Sequence, residues 1–241
     1  LLIKDEGDTL IYVAILTFSS VGSAIPNLLY IRKYCRLRFT FKCDLKKHLK
    51  PILLLFAISA ATVIYVNVDA TMIKVMKGSY DNGIYSAAVK VYNIFKNLVS
   101  AIIIVTVPRL SAMTTQKDLT ESKELMKLIF NVVLAIVLPL CLLSGLLSKD
   151  IILFIASKKY IQAGNALKIL SVSLVFSSMA SFMTTSVLLP NGKEKYILRA
   201  SIISAVVNFT LNFWFIPKLS FIGAAITTML AEFVMFTVSY M

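Results

Sequence analysis

Apolar runs of membrane-crossing length recur along the chain with short polar breaks between them. Residues 9–31, 128–148, 169–192 and 200–217 contain no Asp, Glu, Lys or Arg, and 52–76, 84–107 and 221–241 are interrupted only by isolated charges. A hydrocarbon core about 30 Å thick takes roughly 20 helical residues at about 1.5 Å each. The pattern therefore predicts about seven transmembrane helices. Lipid offers a backbone no hydrogen-bond partners, so each span must bond internally, and the alternation expected of barrel strands is absent. The predicted fold class is all-α, a polytopic membrane helix bundle.

Breaker residues sharpen the edges of these spans. Pro51 fits the first turn of a helix, while Pro108, Pro190 and Pro217 are placed to close helices. Pro26 and Pro139 fall inside spans, where a missing N–H bends the helix. Asp118 and Glu121 fit the start of the fourth span as cap residues. A short apolar turn at 151–155, followed by Ser157, Lys158, Lys159 and Tyr160, predicts an interfacial or re-entrant helix on the outer side.

Composition strengthens the membrane reading, with 58% hydrophobic and 15% charged residues in 241, far from the quarter charged that is usual in soluble domains. The excess of base is local. Residues 32–51 hold eight Lys and Arg against the single acid Asp44, which puts this loop on the cytoplasmic side. Alternating from there, inner segments hold fifteen Lys and Arg and outer segments seven. Topology and attraction to anionic lipid account for that distribution, so membrane lipids are expected partners and nucleic acid is not. The chain opens on Leu1, its first segment LLIKDEGD lacks the form of a signal peptide, and the last apolar run reaches Met241. The sequence reads as part of a longer chain.

Catalytic chemistry has little to work with. Cys35, Cys43 and Cys141 lack metal-ligand spacing, His48 stands alone, and no Ser/His or Cys/His arrangement lies within the spans, so neither an enzyme, nor a metal, nor a cofactor is expected. The candidate chemistry lies instead in polar residues at membrane depth, where an ionisable group costs a few kcal/mol and faces protein or water. In the third span, Ser86, Lys90, Asn93, Asn97 and Ser100 share a stripe about 80° wide, and Lys96 lies about 60° beyond Asn93. Asp69 precedes the outer turn at 78–83 by about as much as Lys90 follows it, which predicts that the two meet across antiparallel helices. Asp69 is then either an ion-coupling carboxylate that changes partners or a fixed counter-ion of Lys90. Glu232 is a second lone carboxylate and ion-coupling candidate. Ser201, Ser204, Asn208 and Asn212 form a neutral stripe in the sixth span, suited to helix packing or to lining a cavity.

Several stretches resemble a known family. IYSAAVKVYNIF, VTVPRLSAM, LLPNGKEKY and VVNFTLNFWFIPKLSFIGAAITTMLAE, with KHLKPILLLFA leading to the NVD of Asp69, resemble in order and spacing the Wzx-type polysaccharide repeat-unit flippases of the multidrug/oligosaccharidyl-lipid/polysaccharide exporter superfamily. That resemblance implies twelve or fourteen spans in two six-helix lobes that rock around a central cavity. Residues 1–31 would then end the amino-terminal lobe, 32–51 form the cytoplasmic interlobe loop, and 52–241 form the second lobe. It also implies a protein of the bacterial inner membrane that carries undecaprenyl-diphosphate-linked oligosaccharide to the outer leaflet by alternating access, with polymerase and assembly proteins of the polysaccharide as further candidate partners. Lys90, Asn93, Lys96 and Asn97 are the matching cavity candidates. Arg109 is either a first phosphate contact at the inner mouth or a topological anchor. A lipid II flippase, a multidrug antiporter and a membrane-embedded glycan polymerase or transferase are the alternatives.

Overall fold

A computed structural model describes residues 9–34, 45–116 and 119–241. Seven α-helices carry the described residues: α1 (Thr9–Tyr34), α2 (Leu45–Lys77), α3 (Ser79–Gln116), α4 (Leu119–Leu146), α5 (Ser148–Ile155), α6 (Ala163–Ser181) and α7 (Glu194–Tyr240). A 3₁₀ turn, Lys158–Tyr160, precedes α6, and a π-helical stretch, Phe182–Leu188, prolongs it. No strand occurs among the described residues. Val13–Ile31, Ser79–Met113, Thr120–Leu146, Ala163–Leu188 and Glu194–Tyr240 are each long and apolar enough to cross a membrane. The remaining apolar run, 52–76, is unbroken helix within α2. The protein is a membrane-integral, all-α helix bundle.

Two compact units divide the chain, Leu1–His48 and Leu49–Met241. The first contains α1, which carries Pro26 internally as expected, and in which the Thr17 hydroxyl donates to the Val13 carbonyl at 2.9 Å. Helix replaces both ends of the expected loop 32–51, because α1 runs on to Tyr34 and α2 begins at Leu45, upstream of Pro51. The rest of that loop, 35–44, lies outside the described residues, as does the candidate cap Asp118.

In the second unit α6 is the hub, packing against α3, α4, α5 and α7. Leu167, Leu170 and Leu174 recur on one face of α6 and are buried with Ile84 and Ile103 of α3, Val133 of α4 and Ile216 of α7. Between them Ala163, Ala166, Ser173, Ser177 and Ser178 are also buried. Small residues let backbones approach closely, which is how packed membrane helices gain contact when lipid is as apolar as leucine. Small side chains also leave room, and the wide cavity described below opens beside this helix.

Turns fix the register of the site. Gly78 alone separates α2 from α3, with φ of +95° and its N–H donating to the carbonyls of Ile73 and Lys74, each at 3.2 Å. A residue without Cβ holds this left-handed cap freely, so the expected turn at 78–83 contracts to one residue. The spans expected at 200–217 and 221–241 become the two arms of α7, broken at Ser220, where φ is 50° and ψ is −130°. Thr227 donates to Asn212 at 2.5 Å and, farther from the break, Ser204 donates to the Ala231 carbonyl at 2.7 Å. These bonds fold the arms back on each other. Ser220 donates to Asp81 of α3, and a Cβ on Gly223 would strike the Phe215 carbonyl. The tight reversal thus needs a glycine three residues beyond it. Pro108 does not close its helix, since α3 continues to Gln116; a proline whose lost bond is compensated by neighbouring helices is tolerated inside a span.

Candidate functional site

Asp69 sits in the last third of α2, where Val68, Met72, Ile73 and Met76 enter the core. It is only 4% exposed. Its Oδ1 accepts from Asn212 Nδ2 at 2.6 Å, and its Oδ2 accepts from Thr228 Oγ1 at 2.6 Å and from Tyr85 Oη at 2.8 Å. Asn212 is held in turn by Asn208 Oδ1 at 3.2 Å and by Thr227. Three neutral donors from α3 and both arms of α7 therefore surround the carboxylate. No Lys or Arg among the described residues pairs with it.

Lys90 is not among these partners. It is exposed on α3, and the expected Asp69–Lys90 contact does not form. Gly78 lies nine residues after Asp69 and twelve before Lys90, so the contracted turn offsets the two along their helices, and Lys90 also faces away. The buried face of α3, with Ile84, Tyr85, Ala88, Val91, Tyr92 and Val99, is centred roughly 150° around the helix from the polar stripe. Asn97 is also exposed, whereas Asn93 is half-buried. Lys96 lies between the two faces and turns inward.

There Lys96 Nζ meets Glu232 Oε1 at 2.7 Å and stands 5.6 Å from the centroid of the Tyr92 ring. Glu232 thus has a partner, which the sequence did not disclose. Side-chain exposure differs sharply within the pair, at 29% for Lys96 and 6% for Glu232. Both residues border two spaces. One is a cavity of about 380 Å³, lined by Ser177, Ser181, Thr184, Thr185, Ser201 and Ser204 together with apolar side chains such as Leu55, Ile58, Ile197 and Met235. The other is a niche of about 40 Å³ that also touches Asp69, Tyr85, Tyr92, Asn93 and Thr228, large enough for a single water or small ion. The ion pair is the partition between them. Arg109 lies apart, exposed and paired with Glu121 at 3.1 Å.

Comparison with known proteins gives three partial likenesses. A family described as "Polysaccharide biosynthesis protein" matches residues 1–114. The chain is 25% identical over 217 residues to the capsular polysaccharide biosynthesis protein CapF of Staphylococcus aureus, which covers 88% of this chain and 54% of that protein. It is 34% identical over 110 residues, 44% of this chain, to the uncharacterized membrane protein MJ1068 of Methanocaldococcus jannaschii, of which that segment is 21%. The chain thus spans about half the length of the first relative and less of the second. No solved structure matches. The likeness is to a membrane protein and to proteins of polysaccharide biosynthesis.

Several members of that interior escaped the sequence reading. Tyr85 and Tyr92 look like ordinary core aromatics until their spacing is noted: seven residues apart, with Lys96 four beyond, they share a helix face. Thr228 lies one turn before Glu232, so one arm of α7 carries both the hydroxyl that binds Asp69 and the acid that binds Lys96. The serines and threonines of α6 and the π-helical stretch had no single stripe, because a π-helical turn shifts the face on which later side chains fall.

Proposed function

We propose that the chain forms one lobe of a transporter that moves a lipid-linked, anionic oligosaccharide across the bacterial inner membrane for cell-surface polysaccharide biosynthesis, without chemistry on its cargo. The observation that carries the reading is Lys96, the only Lys or Arg among the described residues that line a 380 Å³ cavity, whose other walls are hydroxyl and apolar side chains and the partner of Lys96, Glu232. An ammonium presents three donors to a diphosphate, hydroxyls donate to and accept from sugar, and the apolar side receives the start of a lipid chain. Likeness to proteins named for polysaccharide and capsule biosynthesis supports the substrate class. Asp69 and Glu232, which border one niche, are the groups to which a driving ion would couple.

The test is translocation by the full-length protein in proteoliposomes, using a polyprenyl-diphosphate oligosaccharide scored by access of a glycan-cleaving enzyme to the outer leaflet. Transport is expected in the wild type and a loss of at least tenfold in Lys96→Gln, with Lys90→Gln close to wild type. Unchanged transport in Lys96→Gln would remove the anionic-headgroup reading. Movement of lipophilic cations instead of the lipid-linked glycan would identify a multidrug antiporter, and elongation of the glycan an enzyme.

A further inference from the structure

The asymmetry of the Lys96–Glu232 pair points beyond a static bridge. Both side chains line the 380 Å³ cavity, and Lys96 is the more exposed of the two while Glu232 is nearly covered, so Lys96 is the member of the pair that an entering molecule can reach. Lys96 is also the sole Lys or Arg among the lining residues, while Glu232 is the sole acid there. Any anion seated in this cavity finds its one cation already neutralised.

We infer that Glu232 is an internal stand-in for the anionic group of the ligand: it occupies Lys96 in the unliganded cavity and is displaced from it when the ligand anion enters. This rests on the anionic-headgroup reading above and adds the order of events to it. Two anions on one ammonium repel each other, and the more strongly the less water separates them. Coexistence is therefore unfavourable for a diphosphate, whose charge exceeds one. Room for the displaced group exists, because Glu232 also borders the 40 Å³ niche. From α2 and α3 the titratable side chains facing that niche are Asp69, Tyr85, Tyr92 and Lys96, and α6 adds only Leu170. The wall of the larger cavity receives only hydroxyl and apolar groups from α6 and the π-helical stretch. Among the described residues no second Lys or Arg lines either space.

An internal competitor has a distinctive signature: removing it strengthens binding. The probe is radiolabelled farnesyl diphosphate, a short lipid with the required head, in equilibrium binding to the purified full-length protein in detergent, with farnesol as the uncharged control. Glu232→Gln is expected to bind the diphosphate about tenfold more tightly than the wild type, Lys96→Gln at least tenfold more weakly, and the double variant as weakly as Lys96→Gln. Glu232→Asp, whose shorter arm loosens the pair, is expected to fall between wild type and Glu232→Gln. Thermal melting of each variant identifies any that fail to fold, and Glu232→Asp keeps the comparison available if Glu232→Gln is lost. Equal or weaker binding by both Glu232 variants, with Lys96→Gln still impaired, would overturn the stand-in role and leave Glu232 as a group that positions Lys96. Binding that ignores Lys96 altogether would overturn the headgroup reading itself, and the inference with it.

Discussion

Two buried carboxylates that border the same niche are stabilised in opposite ways. Asp69 is held by three neutral donors and no cation; Glu232 is held by one cation, Lys96, at 2.7 Å. The first arrangement distributes its bonds over α2, α3 and both arms of α7, so that moving any one element breaks the set. The second concentrates its attraction in a single contact at the edge of a cavity. Neutral networks rigidify a core when fully satisfied, whereas a buried pair gains little net stability because desolvation offsets attraction. Thr228 joins the two, binding Asp69 while lying one turn from Glu232 on the same arm.

The strongest way to break this contrast is to remove one member of the ion pair. Glu232→Leu leaves an ammonium without its partner, and a loss of about 3–5 kcal/mol is expected. Adding Lys96→Met should restore most of it, since replacing both charges by apolar groups is close to neutral. Reversible unfolding in detergent, followed by circular dichroism, measures the double-mutant cycle; an additive result would show that the two side chains do not interact.

Next in size is Asp69→Asn. Its amide oxygen can still accept from Asn212 while its NH2 faces the hydroxyls of Thr228 and Tyr85, which must turn from donating to accepting, and every bond loses the strength that the carboxylate charge gave it. The expected cost is about 2 kcal/mol, and no substitution of Lys90 should relieve it. Thr228→Val removes one of the three donors to Asp69, with an expected loss of about 1 kcal/mol. In the same unfolding assay its coupling to Asp69→Asn should exceed its coupling to the Lys96–Glu232 pair, and the reverse order would merge the two regions into one network. Smallest of all, Lys90→Ala and Arg109→Ala should each change stability by no more than about 0.5 kcal/mol, because one is exposed and the other forms an exposed pair.

The spans were legible because hydrophobic length is a local property, and even the hairpin of α7 was visible as two apolar runs parted by Pro217, Lys218 and Ser220. Membership of the interior was legible by type: Asp69, Lys96 and Glu232 stand out as charges at membrane depth, and all three are at the site. Pairing was not. Sequence arithmetic placed Asp69 and Lys90 at one depth, but Tyr85, Ala88 and Tyr92 bury the opposite side of α3 and leave Lys90 facing out. The conspicuous polar stripe drew attention from a less conspicuous face of small and aromatic residues that packs better.

By itself, then, the sequence determined an all-helical membrane bundle and the approximate extent of its apolar runs, because length, hydropathy and the cost of charge in lipid are set residue by residue. Only the tertiary structure decided that Asp69 takes hydroxyl and amide donors and that Lys96 takes Glu232 from a span 136 residues away. Those choices depend on how each helix is rotated about its axis, and rotation is fixed by the packing of all its neighbours at once.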